Sequence, residues 1–99
     1  NFKIVIDDAV DFISKTKQQF DLIFVDLFSG DVIPEKTETE IFLRRIKEKL
    51  AENGLVVFNR HYYQNHISEA RFFLDKLKKI FNDVSSKKIL TNLLIFARR

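Results

Sequence analysis

The segment from Phe20 to Pro34, FDLIFVDLFSGDVIP, has the residue types and spacing of a reactive site. Asp26 directly follows the apolar run Leu22 to Val25, and Asp31 comes five residues later in a polar loop. A carboxylate at the end of a buried strand is costly unless it faces solvent or a partner. We therefore expect Asp26 to face a site at the end of the strand, the alternative being a plain loop acid.

Two further apolar runs also end in polar side chains. Phe2 to Ile6 is followed by Asp8, and Leu55 to Phe58 by Asn59. In open α/β sheets, ligands bind beyond the carboxyl ends of the strands. We therefore expect Asp8, Asp26 and Asn59 to lie at one edge of a sheet, although Asp8 is also an adequate helix N-cap.

The residues after Asn59 extend this polar cluster. Arg60, His61, Tyr62 and Tyr63 are candidates to line a ligand pocket at the same edge. A single histidine in a polar loop is more often a surface residue than a catalyst. His66 is five residues beyond His61, which is not a metal-ligand spacing, so no metal site is predicted.

The elements that would position these residues alternate along the chain. Continuous apolar strands favour a parallel sheet that is covered on both faces, and the strand-helix order indicates an α/β fold. The predicted strands are Phe2 to Ile6, Leu22 to Val25 and Leu55 to Phe58, with a closing hairpin of Val84 to Leu90 and Leu93 to Ala97. Three helices are predicted. The first begins after Asp8, and the second covers Glu38 to Ala51 and is ended by Asn53 and Gly54. The third is indicated by a stripe of apolar residues from Ile67 to Phe81.

The composition limits the function classes. The 99 residues are 45% hydrophobic and 31% charged, as expected for one small globular domain. The absence of cysteine excludes disulfides and thiolate nucleophiles, and fits a cytoplasmic protein. No apolar run is long enough for a membrane helix. A net charge of +3 without aromatic residues between the lysines does not favour nucleic-acid binding.

The pattern as a whole resembles a known family. The succession of Asp8-Ala9, FDLIFVD, NGLVVF and a closing hairpin is similar to the C-terminal half of the class I methyltransferase-like Rossmann fold. VDLFSGDVIP, followed by Thr39 and Phe42, looks most like the spermidine synthase-like aminopropyltransferases. The resemblance implies a partial three-layer sandwich over residues 1–99, with a mostly parallel sheet and an antiparallel hairpin.

The resemblance also implies roles for particular residues. Asp8, with Ala9, matches the position that contacts the adenine of a sulfonium donor, which is decarboxylated S-adenosylmethionine or S-adenosylmethionine. Asp26 matches the carboxylate that acts on the attacking amine, and Asn59 lies on the side of the acceptor. The synthases carry a second Asp where this chain has Ser29, so Asp31 is the candidate replacement for substrate binding.

The glycine-rich loop that holds the donor in this family has no counterpart, because the chain contains only two glycines. We therefore expect the chain alone to bind the donor weakly and to be inactive. We expect the protein that contains it to be a transferase of polyamine biosynthesis that acts on a small amine. A methyltransferase fragment and a non-catalytic interaction module are the alternatives.

The resemblance also bears on assembly. In the methyltransferase-like sheet, two preceding strands lie between Phe2 to Ile6 and Leu22 to Val25. Without them, either the first strand moves beside the second or another copy supplies the missing strand. Both arrangements leave an apolar sheet edge, which is a template for pairing. The sequence therefore predicts a homodimer with a sheet-edge contact.

Overall fold

The computed structural model describes residues 2–5, 16–26 and 40–99. Its five strands are β1 (Phe2–Val5), β2 (Phe20–Asp26), β3 (Leu50–His61), β4 (Asp83–Ile89) and β5 (Asn92–Arg98). Its two described helices are α1 (Glu40–Lys49) and α2 (His66–Ile80). Asp8, Ala9 and Asp31 lie outside the described residues, as do the helix predicted after Asp8 and the loop after Asp26.

The strands form one sheet in the order β1-β2-β3-β5-β4. β1 pairs with β2 and β2 pairs with β3, both in parallel. β5 is antiparallel to β3 and to β4. The predicted α/β class and closing hairpin are confirmed, and the sheet is mixed. The first strand lies directly beside the second, which is the first of the two arrangements expected for this chain.

Both described helices pack on one face of the sheet, which we call the helix face. Alternate residues of a strand point to opposite faces, so each strand supplies every second residue to this face. Phe58 is fully buried there and meets the ring of Phe73 edge-on, with ring centroids 5.3 Å apart. The other strand residues buried in the same cluster are Phe20, Ile23, Val25, Leu50, Val56, Leu93, Ile95 and Ala97.

The opposite side of the sheet, which we call the open face, is packed differently. No helix of the described part of the chain lies on it. Its apolar residues on β2, β3 and β5 include the half-buried Leu22, Phe24, Leu55, Leu94 and Phe96 and the buried Val57. Cross-strand register places Asp26 and Asn59 on this face at the carboxyl end of β2 and β3.

Helix α1 ends before the sequence pattern predicts. We expected the helix to continue to Ala51 and to stop at Asn53 and Gly54, but it ends at Lys49 and β3 begins at Leu50. The pairing with β2 is then irregular and passes from Leu50 directly to Leu55. Gly54 lies inside the strand, where a Cβ would come within 2.7 Å of the Ala51 carbonyl oxygen. The glycine therefore allows a close backbone approach and does not end the helix.

The hairpin loop is displaced by one residue from the predicted position. Ile89 and Asn92 are the last register pair of β4 and β5, so Leu90 and Thr91 form the loop. Leu90 has a φ of 54° and is 87% exposed. Asn92, which we expected in the loop, is the first residue of β5.

Candidate active site

Asp26 and Asn59 are direct neighbours at the carboxyl edge of the sheet. They are register partners at the end of the parallel pair of β2 and β3, so their side chains point to the same face. Both residues are half-buried. This agrees with the expected gathering of polar residues at one edge, of which Asp8 lies outside the described residues.

The side chain of Asn59 leaves an acceptor atom available. Its Oδ1 is buried and has no hydrogen-bond partner among the described residues. An unsatisfied buried carbonyl oxygen costs free energy, roughly 1–3 kcal/mol. The atom lies beside a carboxylate at the edge where α/β sheets bind ligands, so a donor such as an amine N–H would satisfy it.

Arg60 does not belong to this cluster, although the sequence suggested that it lines the same pocket. Strand alternation directs Arg60 to the helix face, where it is 1% exposed. Its guanidinium carbon lies 4.8 Å from the centroid of the Phe73 ring. Such a cation–π contact is worth about 2 kcal/mol when it is removed from water. The residue is therefore part of the packing beneath α2.

Three rings, those of His61, Tyr63 and His66, form a cluster at the end of β3. The centroid distances are 5.3 Å for His61 to Tyr63, 5.4 Å for His61 to His66 and 5.1 Å for Tyr63 to His66. The spacing of five residues between the histidines did not predict this contact. The chain turns back at Gln64, whose φ is 49°, and this turn brings the rings together.

Among the described residues, no group of three or more potential metal ligands occurs, in the ring cluster or elsewhere. His66 Nδ1 is 3.9 Å from a carboxylate oxygen of Glu69, and the carboxylate is mostly exposed. Two imidazoles with one distant acid fall short of the three protein ligands of a catalytic zinc site.

Tyr62 lies outside the ring cluster and fixes the start of the turn. Its backbone N–H donates to the Thr91 carbonyl oxygen at 2.7 Å. Its hydroxyl accepts a hydrogen bond from Arg71 Nε at 3.3 Å, and this bond raises the pKa of the Arg71 guanidinium. The guanidinium is always charged in proteins, so the contact orients the tyrosine ring and does not titrate.

A shallow groove of about 200 Å³ lies elsewhere on the open face. Its lining residues are Leu55, Asp83, Ser85, Phe96 and Arg98. Leu55 and Asn59 are four residues apart in β3, which corresponds to roughly 13 Å along a strand. The groove is therefore separate from the pair of Asp26 and Asn59.

Solved structures define the class of this fold. Human methyltransferase-like protein 13 in complex with SAH matches 92% of this chain and 46% of its own, with a TM-score of 0.76 and 20% identity. A probable spermidine synthase from Corynebacterium glutamicum matches 93% of this chain and 36% of its own, with a TM-score of 0.75 and 23% identity. The chain thus has a partial methyltransferase-like, Rossmann-type fold.

The sequence comparisons define the family. Residues 1–93 match the spermine/spermidine synthase domain, and the chain belongs to this family. The polyamine aminopropyltransferases of Yersinia pestis (strain Pestoides F) and Yersinia pseudotuberculosis (strain IP 31758) are each 33% identical to it over 84 residues. These residues are 85% of this chain and 28% of each relative, so the chain spans less than a third of their length. No described helix is long and apolar enough to cross a membrane.

Proposed function

We propose that this chain supplies the acceptor side of an aminopropyltransferase site, in which an amine attacks a sulfonium donor. The observation that carries the proposal is the register pair of Asp26 and Asn59 at the carboxyl edge of β2 and β3. The two side chains offer a carboxylate and an amide oxygen to one ligand. Membership of the spermine/spermidine synthase family supports a small amine as that ligand.

Asp26 performs the proton transfer in this proposal. An ammonium group has no lone pair, so its nitrogen attacks only after it has lost a proton. The Asp26 carboxylate takes that proton while the Asn59 amide oxygen accepts a second N–H and orients the lone pair. The nitrogen then bonds to the methylene carbon next to sulfur. The carbon–sulfur bond breaks, and its electron pair leaves a neutral thioether.

The remaining predicted site residues complete the division of roles. Asp8 and Ala9 are the proposed donor-binding residues, with the Asp8 carboxylate accepting from the adenine amino group. Asp31 is proposed to bind the acceptor as the second acid of the Asp26 loop. The donor is proposed to be decarboxylated S-adenosylmethionine. The chain has only two glycines and no glycine-rich loop, so we expect weak donor binding and no turnover by the chain alone.

The test is Asp26→Asn in an active full-length protein that contains this chain. The amide cannot take the proton, so we expect kcat to fall roughly 10²-fold or more while the KM for the donor stays unchanged. Asp21→Asn is the matched control, because it makes the same change at the exposed amino end of the same strand. Full activity of Asp26→Asn would show that Asp26 is a loop acid.

The two possible donors separate the proposed reaction from methyl transfer. The full-length protein is given a diamine with either decarboxylated S-adenosylmethionine or S-adenosylmethionine, and the products are identified by mass. A mass gain of one aminopropyl group, with the decarboxylated donor alone, supports the proposal. A methylated product identifies a methyltransferase. If neither donor binds or reacts, the fold serves as a non-catalytic interaction module.

A further inference from the structure

β4 is the last strand in the order of the sheet, so the backbone groups along one of its sides have no neighbouring strand among the described residues. It is hydrogen-bonded to β5 on one side, and no described strand lies on its other side. Six of its seven residues are exposed, and only Val84 is half-buried. An outer strand of this length presents a row of backbone donors and acceptors to another chain.

The lysines of β4 do not simply protect this edge. Lys87 and Lys88 are the charges that commonly prevent edge pairing. The same strand begins with Asp83, however, so it carries both signs of charge. Strand alternation places Asp83, Ser85 and Lys87 on the open face and Lys88 on the helix-face side. Asp83 and Lys87 therefore stand four residues apart on one face.

Symmetry restricts how two copies of β4 pair. In an antiparallel contact with a two-fold axis, one residue faces its own counterpart and the others pair at equal distances on either side. An axis at Lys87 or Lys88 sets equal charges against each other. An axis at Ser85 pairs Asp83 of each copy with Lys87 of the other and Val84 with Ser86. This register makes two opposite-charge pairs and no like-charge pair.

A competing register has its axis at Ser86. It pairs all seven residues of β4, but it sets Lys87 against Ser85 and Asp83 against Ile89. Neither contact compensates the charge. Opposite charges directly across an antiparallel pair are favourable, and this difference selects the axis at Ser85.

We propose that β4 is a self-association surface whose partner is the β4 strand of a second copy of this chain. The two strands pair antiparallel about Ser85, and the contact is closed by two Asp83–Lys87 pairs. Two five-stranded sheets then form one continuous sheet across the dimer. The contact lies away from Asp26 and Asn59, so it does not depend on the proposed reaction.

The first test compares two charge reversals on the same strand. Lys87→Glu sets a second acid against Asp83, and we expect it to raise the dimer Kd roughly tenfold or more. Lys88→Glu changes the net charge equally but lies on the other face and outside the five paired positions, so its dimer Kd should stay near that of the unaltered chain. Sedimentation equilibrium of the 99-residue chain distinguishes the 11.8 kDa monomer from a species of twice that mass.

The second test fixes the register by disulfide trapping, for which the natural absence of cysteine is useful. Ser85→Cys should form a covalent dimer under mild oxidation, and Ser86→Cys should not. Both serines are exposed, so neither change should affect folding, which circular dichroism checks. A wild-type monomer at millimolar concentration would overturn the proposal. The proposal would also be overturned if Ser86→Cys formed the covalent dimer more readily than Ser85→Cys. Equal increases of the dimer Kd in Lys87→Glu and Lys88→Glu would overturn it as well.

Discussion

The helix face and the open face are made by the same strands but differ in packing. On the helix face Ile23, Val56, Phe58 and Ile95 have no exposed surface. On the open face, Phe24 and Phe96 are half-buried, and the series ends in Asp26 and Asn59. One face therefore holds the sheet together while the other can present polar groups. Sites that bind ligands commonly rest on such a rigid scaffold.

The strongest test of this comparison sets two phenylalanines against each other. Phe58→Ala removes a fully buried ring that packs on Phe73 and Phe81, and should lower the free energy of unfolding by about 3–5 kcal/mol. Phe96→Ala makes the same truncation on the open face and should cost about 1 kcal/mol, because its ring is only partly removed from water. Urea denaturation measures both. Equal losses would show that the two faces are packed alike.

A medium-sized effect is expected where the backbones of β2 and β3 approach each other. In Gly54→Ala the new methyl would lie 2.7 Å from the Ala51 carbonyl oxygen and 3.0 Å from that of Phe20. Neither backbone atom can move without disturbing a strand, so we expect a loss of about 1–3 kcal/mol.

The neighbouring residue provides the control for Gly54. Asn53 has a φ of 65° and is exposed, so Asn53→Gly should change the stability by less than about 0.5 kcal/mol. Both variants are measured by thermal unfolding. If Gly54→Ala is as stable as the unaltered chain, the strands are farther apart than the structure indicates.

The smallest effect is expected at Leu90 of the β4-β5 hairpin loop, whose side chain is 87% exposed. Leu90 has a positive φ and almost no contacts, so glycine relieves the backbone strain and loses no packing. We expect Leu90→Gly to raise the stability by about 0.5 kcal/mol. Thr91→Gly, one residue later, should lower it instead. A loss of stability in Leu90→Gly would mean that the leucine makes contacts that the structure does not show.

Much of the fold could be predicted from residue patterns. The apolar run Leu22 to Val25 predicted a parallel strand, and the stripe from Ile67 to Phe81 predicted α2 to within one residue at each end. The end of α1 could not be predicted this way. Asn53 and Gly54 are typical of a helix end, but the pairing of Leu50 with Phe20 of β2 is tertiary and leaves no local pattern.

The candidate site was predictable in its position and less so in its membership. The strand ends indicated that Asp26 and Asn59 share an edge, and the register pair agrees. The same reasoning wrongly placed Arg60 beside them. It used the position of Arg60 near the strand end and ignored that successive side chains of a strand point to opposite faces. The spacing of His66 from His61 led us to predict no joint site for the two histidines. The turn at Gln64 nevertheless brings their ring centroids to 5.4 Å from each other. Their roles in a reaction stay predictions.

The position of β5 between β3 and β4 has a consequence for how the chain folds. β5 follows β4 in sequence, yet β4 joins the sheet only through it. The pairs of β3 with β5 join residues as distant as Leu55 and Arg98. Such long-range pairing is slow because the loop must close before any contact rewards it. During synthesis, a chain translated only through β4 would leave one edge of β3 unpaired, and its apolar strand would be exposed to aggregation until β5 emerges.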